Sequence, residues 1–254
     1  MYPTSLTDSQ WELLSCLLNN NRMRKHCLRD VIDAILYLLK SGCPWRLLPL
    51  TFPPFRSVHY YFRKWTVDGT WERLSLVLVL RDRVGSGRAA SPSVAVIDSQ
   101  SIKNSERGVK GKSFDGFKKI KGFKRHILTD SQGNVLAAHV GPAGTHDGKA
   151  APEVISKLWL KGLHRLTHVL GDGAYAGAAL KTWVKETFGL LLEEAKGVTG
   201  KSFAPAPVRW VVERTFSHFN ANRRLARDYE RDTRSSESYI YLTQIVLSLK
   251  RLAK

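Results

Sequence analysis

The spacing of apolar residues changes near residue 90, and this change limits the folds that the chain can adopt. Before it, apolar side chains recur three and four positions apart, as in the run from Leu28 to Leu39 that stops at Gly42. After it, short runs rich in β-branched residues alternate with helical segments. The sequence therefore predicts an all-α region, 1–83, and a mixed α/β region, 93–254. Segment 84–92, rich in Gly, Ser and charge, is expected to link them.

The all-α region is predicted to contain four short helices. Thr7 and Gln10 match a capping box before the first helix, and the second is the apolar run that stops at Gly42. The third and fourth are expected over Ser57 to Val67 and Trp71 to Leu80. Such a set of helices is typical of a small helix-turn-helix-type domain that binds DNA.

The third helix carries basic and aromatic side chains on one surface, as a helix that enters a DNA groove would need. A solvated basic face on a structural helix would give the same pattern, and this segment alone does not decide between them. The DNA-contacting residues predicted for this helix are Arg56, His59, Tyr60, Arg63 and Lys64.

The α/β region is predicted to form a mixed sheet of five strands flanked by helices, in the order β-β-β-α-β-α-β-α. The expected strands are Ser93 to Ile97, Phe123 to Leu128, Val135 to Val140, Thr167 to Leu170 and Leu190 to Leu192. The second and third strands would form a hairpin around the turn Asp130 to Asn134. The expected helices are Asp147 to about Lys161, with Asp147 as its cap, Ala176 to Phe188, and Pro207 to Leu225.

The chain carries a large excess of positive charge. Its 254 residues include 40 Lys and Arg against 22 Asp and Glu, a formal net charge of +18, which favours a polyanionic partner such as nucleic acid. No apolar stretch is long enough to span a bilayer and no signal-peptide pattern is present, so we expect no membrane partner. Cys16, Cys27 and Cys43 lack metal-ligand or disulfide spacing and are expected to be buried thiols.

A basic stretch lies between the first two predicted strands. From Lys103 to Arg125 it holds nine Lys and Arg against Glu106 and Asp115, with phenylalanines interleaved. We expect a flexible loop beside Asp98 that contacts DNA phosphates, with a solvated loop as the alternative. The DNA contacts predicted for this stretch are Lys103, Lys112, Lys118, Lys119, Lys121, Lys124 and Arg125.

Three acidic residues interrupt apolar segments of the α/β region. Asp98 follows SVAVI, Asp172 follows HVLG, and Glu213 lies within VRWVVERTF. Each alone has a structural explanation: a turn at Asp98, a helix cap at Asp172, and an ion pair of Glu213 with Arg209. As a set they are carboxylates on rigid elements, the oxygen ligands that magnesium prefers. Two or three such groups can hold two metal ions for in-line displacement at a phosphodiester.

The three acids belong to longer motifs. Near the N-terminal end stand LTDSQWELL, SGCPWRLLP and SVHYYFRKW, and the acids lie in VAVIDSQSIK, VLGDGAYAG and RWVVERTFSHFNANRRLARDYE. Together these motifs resemble the DDE transposases of bacterial insertion sequences, particularly the insertion-sequence-five group, over almost the whole chain. The resemblance implies a ribonuclease-H-like fold for the α/β region. Because only 41 positions separate Asp172 from Glu213, we expect no large inserted domain between them.

The resemblance also implies an activity and its partners. It assigns Asp98, Asp172 and Glu213 as catalytic and metal-binding residues that hold two Mg²⁺ ions, with Mn²⁺ as a substitute. The implied reaction is hydrolytic DNA cleavage followed by transesterification of the 3′ ends into target DNA. The implied partners are double-stranded DNA, as terminal inverted repeats and as target, and a second copy of the chain at synapsis, in the bacterial cytoplasm at the nucleoid. A non-catalytic DNA-binding protein of transposase ancestry is the alternative.

The third motif departs from the wider family at two positions. Ala206 stands where that family often has Tyr, and Asn220 stands where it often has Lys. Positions 209, 213, 220 and 224 would share one face of a continuous helix. We therefore expect the path of the DNA to Glu213 to be lined by Arg209, Asn220 and Arg224, with Arg223 as a further DNA contact. Arg224 is expected to make the phosphate contact that the missing Lys would make.

Overall fold

A computed structural model describes residues 2–18, 23–105, 109–159, 161–195 and 209–253, so Ala206 and Pro207 lie outside the described residues. The helices are α1 (Asp8–Ser15), α2 (Leu28–Ser41), α3 (Phe55–Val67), α4 (Thr70–Gly85), α5 (Asp147–Trp159), α6 (Ala178–Phe188), α7 (Arg209–Asn220), α8 (Arg223–Ala226) and α9 (Thr233–Leu252). The strands are β1 (Val94–Lys103), β2 (Ser113–Asp115), β3 (Ile120–Thr129), β4 (Val135–Pro142), β5 (His168–Gly171) and β6 (Leu191–Glu194).

The four predicted N-terminal helices are confirmed as α1 to α4. Both hydrogen bonds of the capping box form between Thr7 and Gln10, and Gly42 ends α2 in the left-handed conformation. The connections differ from those of a helix-turn-helix, which joins its two helices by a turn of about 3–4 residues. Residues 42–54 separate α2 from α3, whereas only residues 68 and 69 separate α3 from α4.

The strands form one mixed sheet in which β3 pairs with β1, and β1 pairs with β5, which pairs with β6. Pairing of β1 with β5 and of β5 with β6 is parallel, whereas β3 runs antiparallel to β1, β2 and β4. The fold is therefore the expected ribonuclease-H-like mixed sheet flanked by helices. Five of its strands, including the predicted hairpin, were expected, and the short strand β2 was not.

The basic stretch contains more regular structure than a flexible loop. Strand β1 continues to Lys103, and β3 begins at Ile120, so both ends of the stretch belong to the sheet. Lys124 and Arg125 lie within β3 and are buried. The prediction that β1 ends at Ile97 and that the basic stretch is a flexible loop is therefore wrong, whereas the strand expected from Phe123 is present and begins earlier, at Ile120.

Helix α9 was not predicted, although it is central to the fold. Its side chains are buried between the N-terminal helices and the sheet, and they form one continuous apolar core that includes Phe62, Ile127 and Tyr239. Polar side chains of α9 also accept hydrogen bonds from the backbone of strand β4. The acceptors are Gln244 for Val135 N–H (2.9 Å), Tyr241 for Ala138 N–H (3.0 Å) and Glu237 for Val140 N–H (2.9 Å). The all-α region and the sheet therefore share a core.

The other face of the sheet is covered by α5 and α6. Their apolar side chains, such as Val154 and Val184, pack with Ala95 and Val169 of the central strands in a second buried cluster. None of the three cysteines belongs to the buried residues of either cluster. Cys16 and Cys27 are exposed and Cys43 is half-buried, so the expectation of buried thiols is wrong. None of the described helices has the length and apolar character that a membrane crossing requires.

The predicted helix from Pro207 to Leu225 is broken in the structure. Helix α7 ends at Asn220, and α8 starts at Arg223 and packs against α2. Lys40 of α2 donates a hydrogen bond to the carbonyl oxygen of Ala221 at the break (2.7 Å). Position 224 therefore does not continue the helical face of Glu213, and the expectation of one shared face is wrong.

The contact between α2 and α8 depends on the absence of a side chain at Gly42. A Cβ atom there would lie 2.9 Å from the Cβ of Arg223, and the φ angle of Gly42 is +70°. Gly87 provides a matched control, since its φ angle is +71° and a Cβ would meet nothing within 4 Å.

We expect Gly87→Ala to lower the free energy of unfolding by about 1 kcal/mol, the cost of a left-handed non-glycine residue. Gly42→Ala should lower it by about 2–4 kcal/mol, because overpacking against α8 adds to that cost. Urea denaturation of the two variants and the wild type measures both values. Equal losses in the two variants would show that the approach of α8 to α2 imposes no steric limit.

Candidate active site

The three predicted acids line one cleft of about 810 Å³. Asp98 lies within β1, Asp172 directly follows β5, and Glu213 lies on α7. The three side chains come from elements that are far apart in the sequence, and the fold brings them to a single concave surface.

The parallel register of β1 and β5 places the two aspartates. Val94 pairs with His168 and Val96 with Leu170, so the same register continued by two residues brings Asp98 alongside Asp172. Strand β5 ends at this point, whereas β1 continues beside β3, where Asp98 is opposite Ile127. Asp98 therefore lies in mid-strand, and it is the end of β5 that opens the sheet at the cleft.

Helix α7, which carries Glu213, is held against the turn between β3 and β4. Thr215 donates a hydrogen bond to the carbonyl oxygen of Gly133 (2.9 Å) and Arg214 donates one to that of Gln132 (2.7 Å). The turn itself is anchored by Asp130, which accepts from the backbone N–H of Asn134 (2.9 Å) and forms a buried ion pair with Arg83 of α4 (2.5 Å). These contacts fix the backbone from which Glu213 reaches the cleft.

The carboxylates of the two aspartates make local hydrogen bonds. Asp98 accepts from the N–H of Ser99 (2.7 Å), and Asp172 accepts from the N–H of Ala174 (2.9 Å) at the start of the 3₁₀ turn Gly173–Tyr175. Asp172 therefore does cap a turn, as its structural explanation predicts, while it also lines the cleft. Glu213 is exposed, and the side chain of Arg209 lies outside what the structure describes.

Two further carboxylates line the same cleft: Asp147 at the start of α5 and Asp115 of β2. The ammonium group of Lys124 lies 2.9 Å from Asp147 Oδ1, 3.7 Å from Asp115 Oδ2 and 3.1 Å from the carbonyl oxygen of Thr145. The sequence favours a helix cap as the role of Asp147, with a position at the edge of the site as the alternative. Asp147 follows the short loop after β4, and nothing in the neighbouring sequence indicates a cleft. Its position beside the three acids is visible only in the fold.

Two buried groups close to these carboxylates, Tyr175 and His126, are uncharged at neutral pH. Tyr175 is buried, and burial together with the charges of Asp147, Asp98 and Asp172 raises the pKa of its hydroxyl above the ordinary value. Burial also lowers the pKa of His126 to about 4, although the charge of Asp147 opposes this shift. Neither group therefore offsets the carboxylates at neutral pH, and Lys124 is paired with Asp147 and Asp115. The part of the cleft around Asp98 and Asp172 favours a cation.

The donor set of the cleft suits a hard divalent cation. Among the described residues, no group of three or more His, Cys, Asp or Glu is close enough to hold one metal ion. Mg²⁺ typically takes only one or two protein carboxylates and completes its shell with water and substrate phosphates. Asp98 with Asp172 on one side and Glu213 on the other fit that mode of binding, and Mn²⁺ accepts the same oxygen ligands.

Two family models match the chain in sequence. A model of IS4/5-family transposases matches residues 6–75, and a model of the transposase DDE domain matches residues 89–249, more than half of the chain. The chain belongs to the DDE transposase family. The comparisons with curated proteins and with solved structures gave no match.

The transposase exposes most of the DNA-contacting side chains predicted for α3. Arg56, His59, Tyr60 and Lys64 are exposed, and the His59 ring lies edge-on to Trp45 with 4.9 Å between the ring centroids. Arg63 is partly occupied, because it forms an ion pair with Asp232 (2.9 Å). The predicted basic face of α3 is therefore present on the surface. Arg63 contributes less to it than expected, because it is half-buried and paired with Asp232.

The basic stretch of the transposase divides into buried and exposed residues. Lys124 is held by the acids of the cleft, and Arg125 is fully buried, with its guanidinium donating to the carbonyl oxygen of Leu225 (2.8 Å). Burial lowers the pKa of Arg125 to about 10. Lys118 of this stretch is exposed at the cleft, as is Asn220 of α7. Three further predicted contacts of the stretch, Lys103, Lys119 and Lys121, are exposed, and Lys112 is half-buried.

Arg224 lies away from the cleft of Glu213. It is 7% exposed, its guanidinium is 2.6 Å from Glu230, and it donates to the carbonyl oxygen of Cys43 (3.3 Å). It borders a second cavity of about 730 Å³ that includes His59. The expectation that Arg224 lines the path to Glu213 is therefore wrong, while its neighbour Arg223 is exposed on α8.

We expect Arg224→Ala to lower the free energy of unfolding by about 3 kcal/mol, because it removes the guanidinium that pairs with the mostly buried carboxylate of Glu230. Arg223→Ala, which removes an exposed arginine beside it, should change stability by less than about 0.5 kcal/mol. Chemical denaturation gives both values, and DNA affinity is then compared under conditions where both variants are folded. A stable Arg224→Ala protein that binds DNA about tenfold more weakly would contradict the structural role.

Proposed function

We propose that this transposase binds the terminal inverted repeats of its element, cleaves the DNA by metal-dependent hydrolysis and joins the freed 3′ ends to target DNA by transesterification. The observation that carries the proposal is the meeting of Asp98, Asp172 and Glu213 at one cleft of a DDE-family chain. A chain with a net charge of +18 also suits a polyanionic substrate.

The proposed reaction has two displacements at phosphorus. In the first, water attacks the phosphodiester at the element end, the P–O3′ bond breaks, and a 3′ hydroxyl is released. In the second, that hydroxyl attacks a phosphodiester of the target, so one phosphodiester forms as another breaks and no external energy source is needed. Two bound divalent cations would activate the attacking oxygen and stabilise the leaving one.

The roles of the protein side chains follow from their positions. Asp98 and Asp172, on neighbouring strands, would bind cation at the rigid floor of the cleft, and Glu213 would complete the site from α7. Lys124 restrains Asp147 and Asp115 through its ion pairs and thereby limits the negative charge that an incoming phosphate meets. Lys118 and Asn220 at the cleft would contact phosphates beside the scissile bond.

We further propose that the exposed face of α3 contacts the terminal repeat and that two chains act together at synapsis. Arg56 and Lys64 present positive charge on this face, beside the aromatic ring of Tyr60. Because α1 to α4 share their core with α9, recognition is best tested on the full chain.

We expect Asp98→Asn, Asp172→Asn and Glu213→Gln each to reduce strand cleavage to below about one per cent of the wild-type rate, because each removes a charged metal ligand worth several kcal/mol in the transition state. Binding to end-containing DNA should stay within about threefold. Glu186→Gln, an exposed acid on α6 outside the cleft, is the matched control and should cut at the wild-type rate.

The measurement is cleavage of end-containing duplex at a series of Mg²⁺ concentrations. Removal of the metal with a chelator should stop cleavage by the wild type, and Mn²⁺ should restore it. A wild-type chain that binds the DNA but never cuts at any metal concentration would favour the non-catalytic alternative. Substantial cutting by any of the three variants would contradict the assigned role of that residue.

We expect the double variant Arg56→Ala with Lys64→Ala to bind terminal-repeat DNA about tenfold more weakly and to reduce the slope of log K against log salt by about 2, because two phosphate contacts are lost. The control Arg165→Ala with Lys185→Ala removes the same charge from exposed positions elsewhere. Anisotropy titrations across a salt series measure both. An equal loss in the two double variants would mean that net charge, and not the α3 face, governs binding.

A further inference from the structure

A hairpin tip at the edge of the cleft presents an exposed aromatic ring. The tip consists of residues 113–121, from β2 into the first residues of β3. Phe117, at its turn, is 89% exposed and lines the cleft together with Lys118, whereas Phe114 is 57% exposed and does not line the cleft. A large apolar side chain so exposed adds almost nothing to the stability of the fold.

The backbone that carries Phe117 is restrained. The buried carboxylate of Asp115 accepts hydrogen bonds from the N–H groups of Phe117 and Lys118, both at 3.0 Å, and from the hydroxyl of Ser101. Burial would raise the pKa of Asp115, but these hydrogen bonds and Lys124 outweigh burial and lower it. Asp115 therefore stays charged, and the turn is fixed to β1 and β3 rather than moving as a free loop.

The surroundings of the ring carry positive charge. The ammonium group of Lys118 lies 5.1 Å from the centroid of the Phe117 ring, and Lys119 and Lys121 are exposed on the same tip. Lys119 adopts a φ angle of 54°, which turns the chain sharply between the two strands. An aromatic ring among lysines on a stiff turn is the combination with which proteins stack on nucleic acid bases and hold the adjoining phosphates.

The geometry points to an unpaired nucleotide as the occupant of this site. We propose that Phe117 stacks on a base that has left the duplex beside the scissile phosphodiester, so that the hairpin tip holds the DNA open at the cleft. The faces of paired bases are covered by their neighbours in the stack, and a ring reaches a base face only where a nucleotide is unstacked. This inference rests on the proposed function, since it assumes that DNA enters the cleft.

The test compares binding of two fluorescent duplexes of 20 base pairs by the full-length chain in a chelator, so that no cleavage occurs. One duplex is fully paired, and the other has the same sequence with a two-nucleotide mismatched bubble. The wild type should bind the bubble duplex more tightly, and Phe117→Ala should lose about tenfold in affinity for the bubble alone. Phe117→Trp should keep the preference, and Phe114→Ala should bind both duplexes as the wild type does.

Each other outcome identifies what is wrong. If Phe117→Ala leaves the bubble preference intact, or weakens binding to both duplexes equally, the stacking role is overturned while the cleavage function stands. If Phe117→Ala instead changes only the sedimentation behaviour of the chain, the ring is a contact between copies, and the inference fails. If the wild type binds neither duplex, both the stacking role of Phe117 and the proposed DNA substrate are contradicted. Matching thermal unfolding curves of all variants show that the differences are not due to folding.

Discussion

The hydrogen bonds from β4 to helix α9 are the interactions on which the rest of the structure depends. Among the described strands, β4 is paired only with β3, so its other edge presents backbone N–H groups that need acceptors. Gln244, Tyr241 and Glu237 of α9 supply those acceptors, and Lys157 and Lys161 donate to carbonyl groups of the same strand. Helix α9 presents polar side chains to the edge of the sheet and packs its apolar side chains into the shared core, and it thus joins the two regions of the chain.

The cleft follows from this arrangement. With α9 covering one edge of the sheet, α7 packs its apolar side against the same core through Val212 and Phe219 and leaves Glu213 exposed on the opposite side. The register of β1 with β5 places Asp98 and Asp172 on the facing surface. The rigidity of the floor comes from strand pairing, whereas the position of Glu213 depends on side-chain contacts between α7 and the β3–β4 turn. Changes in packing near the β3–β4 turn should therefore displace Glu213 more than Asp98 and Asp172.

The sequence predicts those elements whose signals are local. The capping box at Thr7, the glycine stop at Gly42 and the hairpin around Asp130 all act within a few residues, and the structure contains each of them. The acids could be proposed because their motifs are long, yet their meeting at one cleft required the fold. Helix α9 was missed because its buried side chains include many Ser, Thr and Tyr, whose hydrogen bonds inside the protein no hydropathy pattern records.

Tertiary contacts explain the remaining errors. Lys40 donates a hydrogen bond to Ala221 at the break between α7 and α8. Arg224 is buried together with its partner, Glu230. A periodicity argument treats a helix as if it were isolated, so it cannot detect a partner 181 residues away. The same limit explains why Lys124 and Arg125 were expected to contact DNA although both side chains are buried.

The position of α9 in the chain has a consequence for synthesis. Every other described element precedes it, yet the core of the N-terminal helices is incomplete without its side chains. Contacts between elements so distant in sequence form late, and the ribosome must release nearly all of the described chain before the first helices can be fully buried. Until then, their apolar faces are exposed to chaperones and proteases. A stop codon before residue 233 would therefore remove the common core of both regions, and the truncated chain would be a target for degradation rather than a shortened DNA-binding fragment.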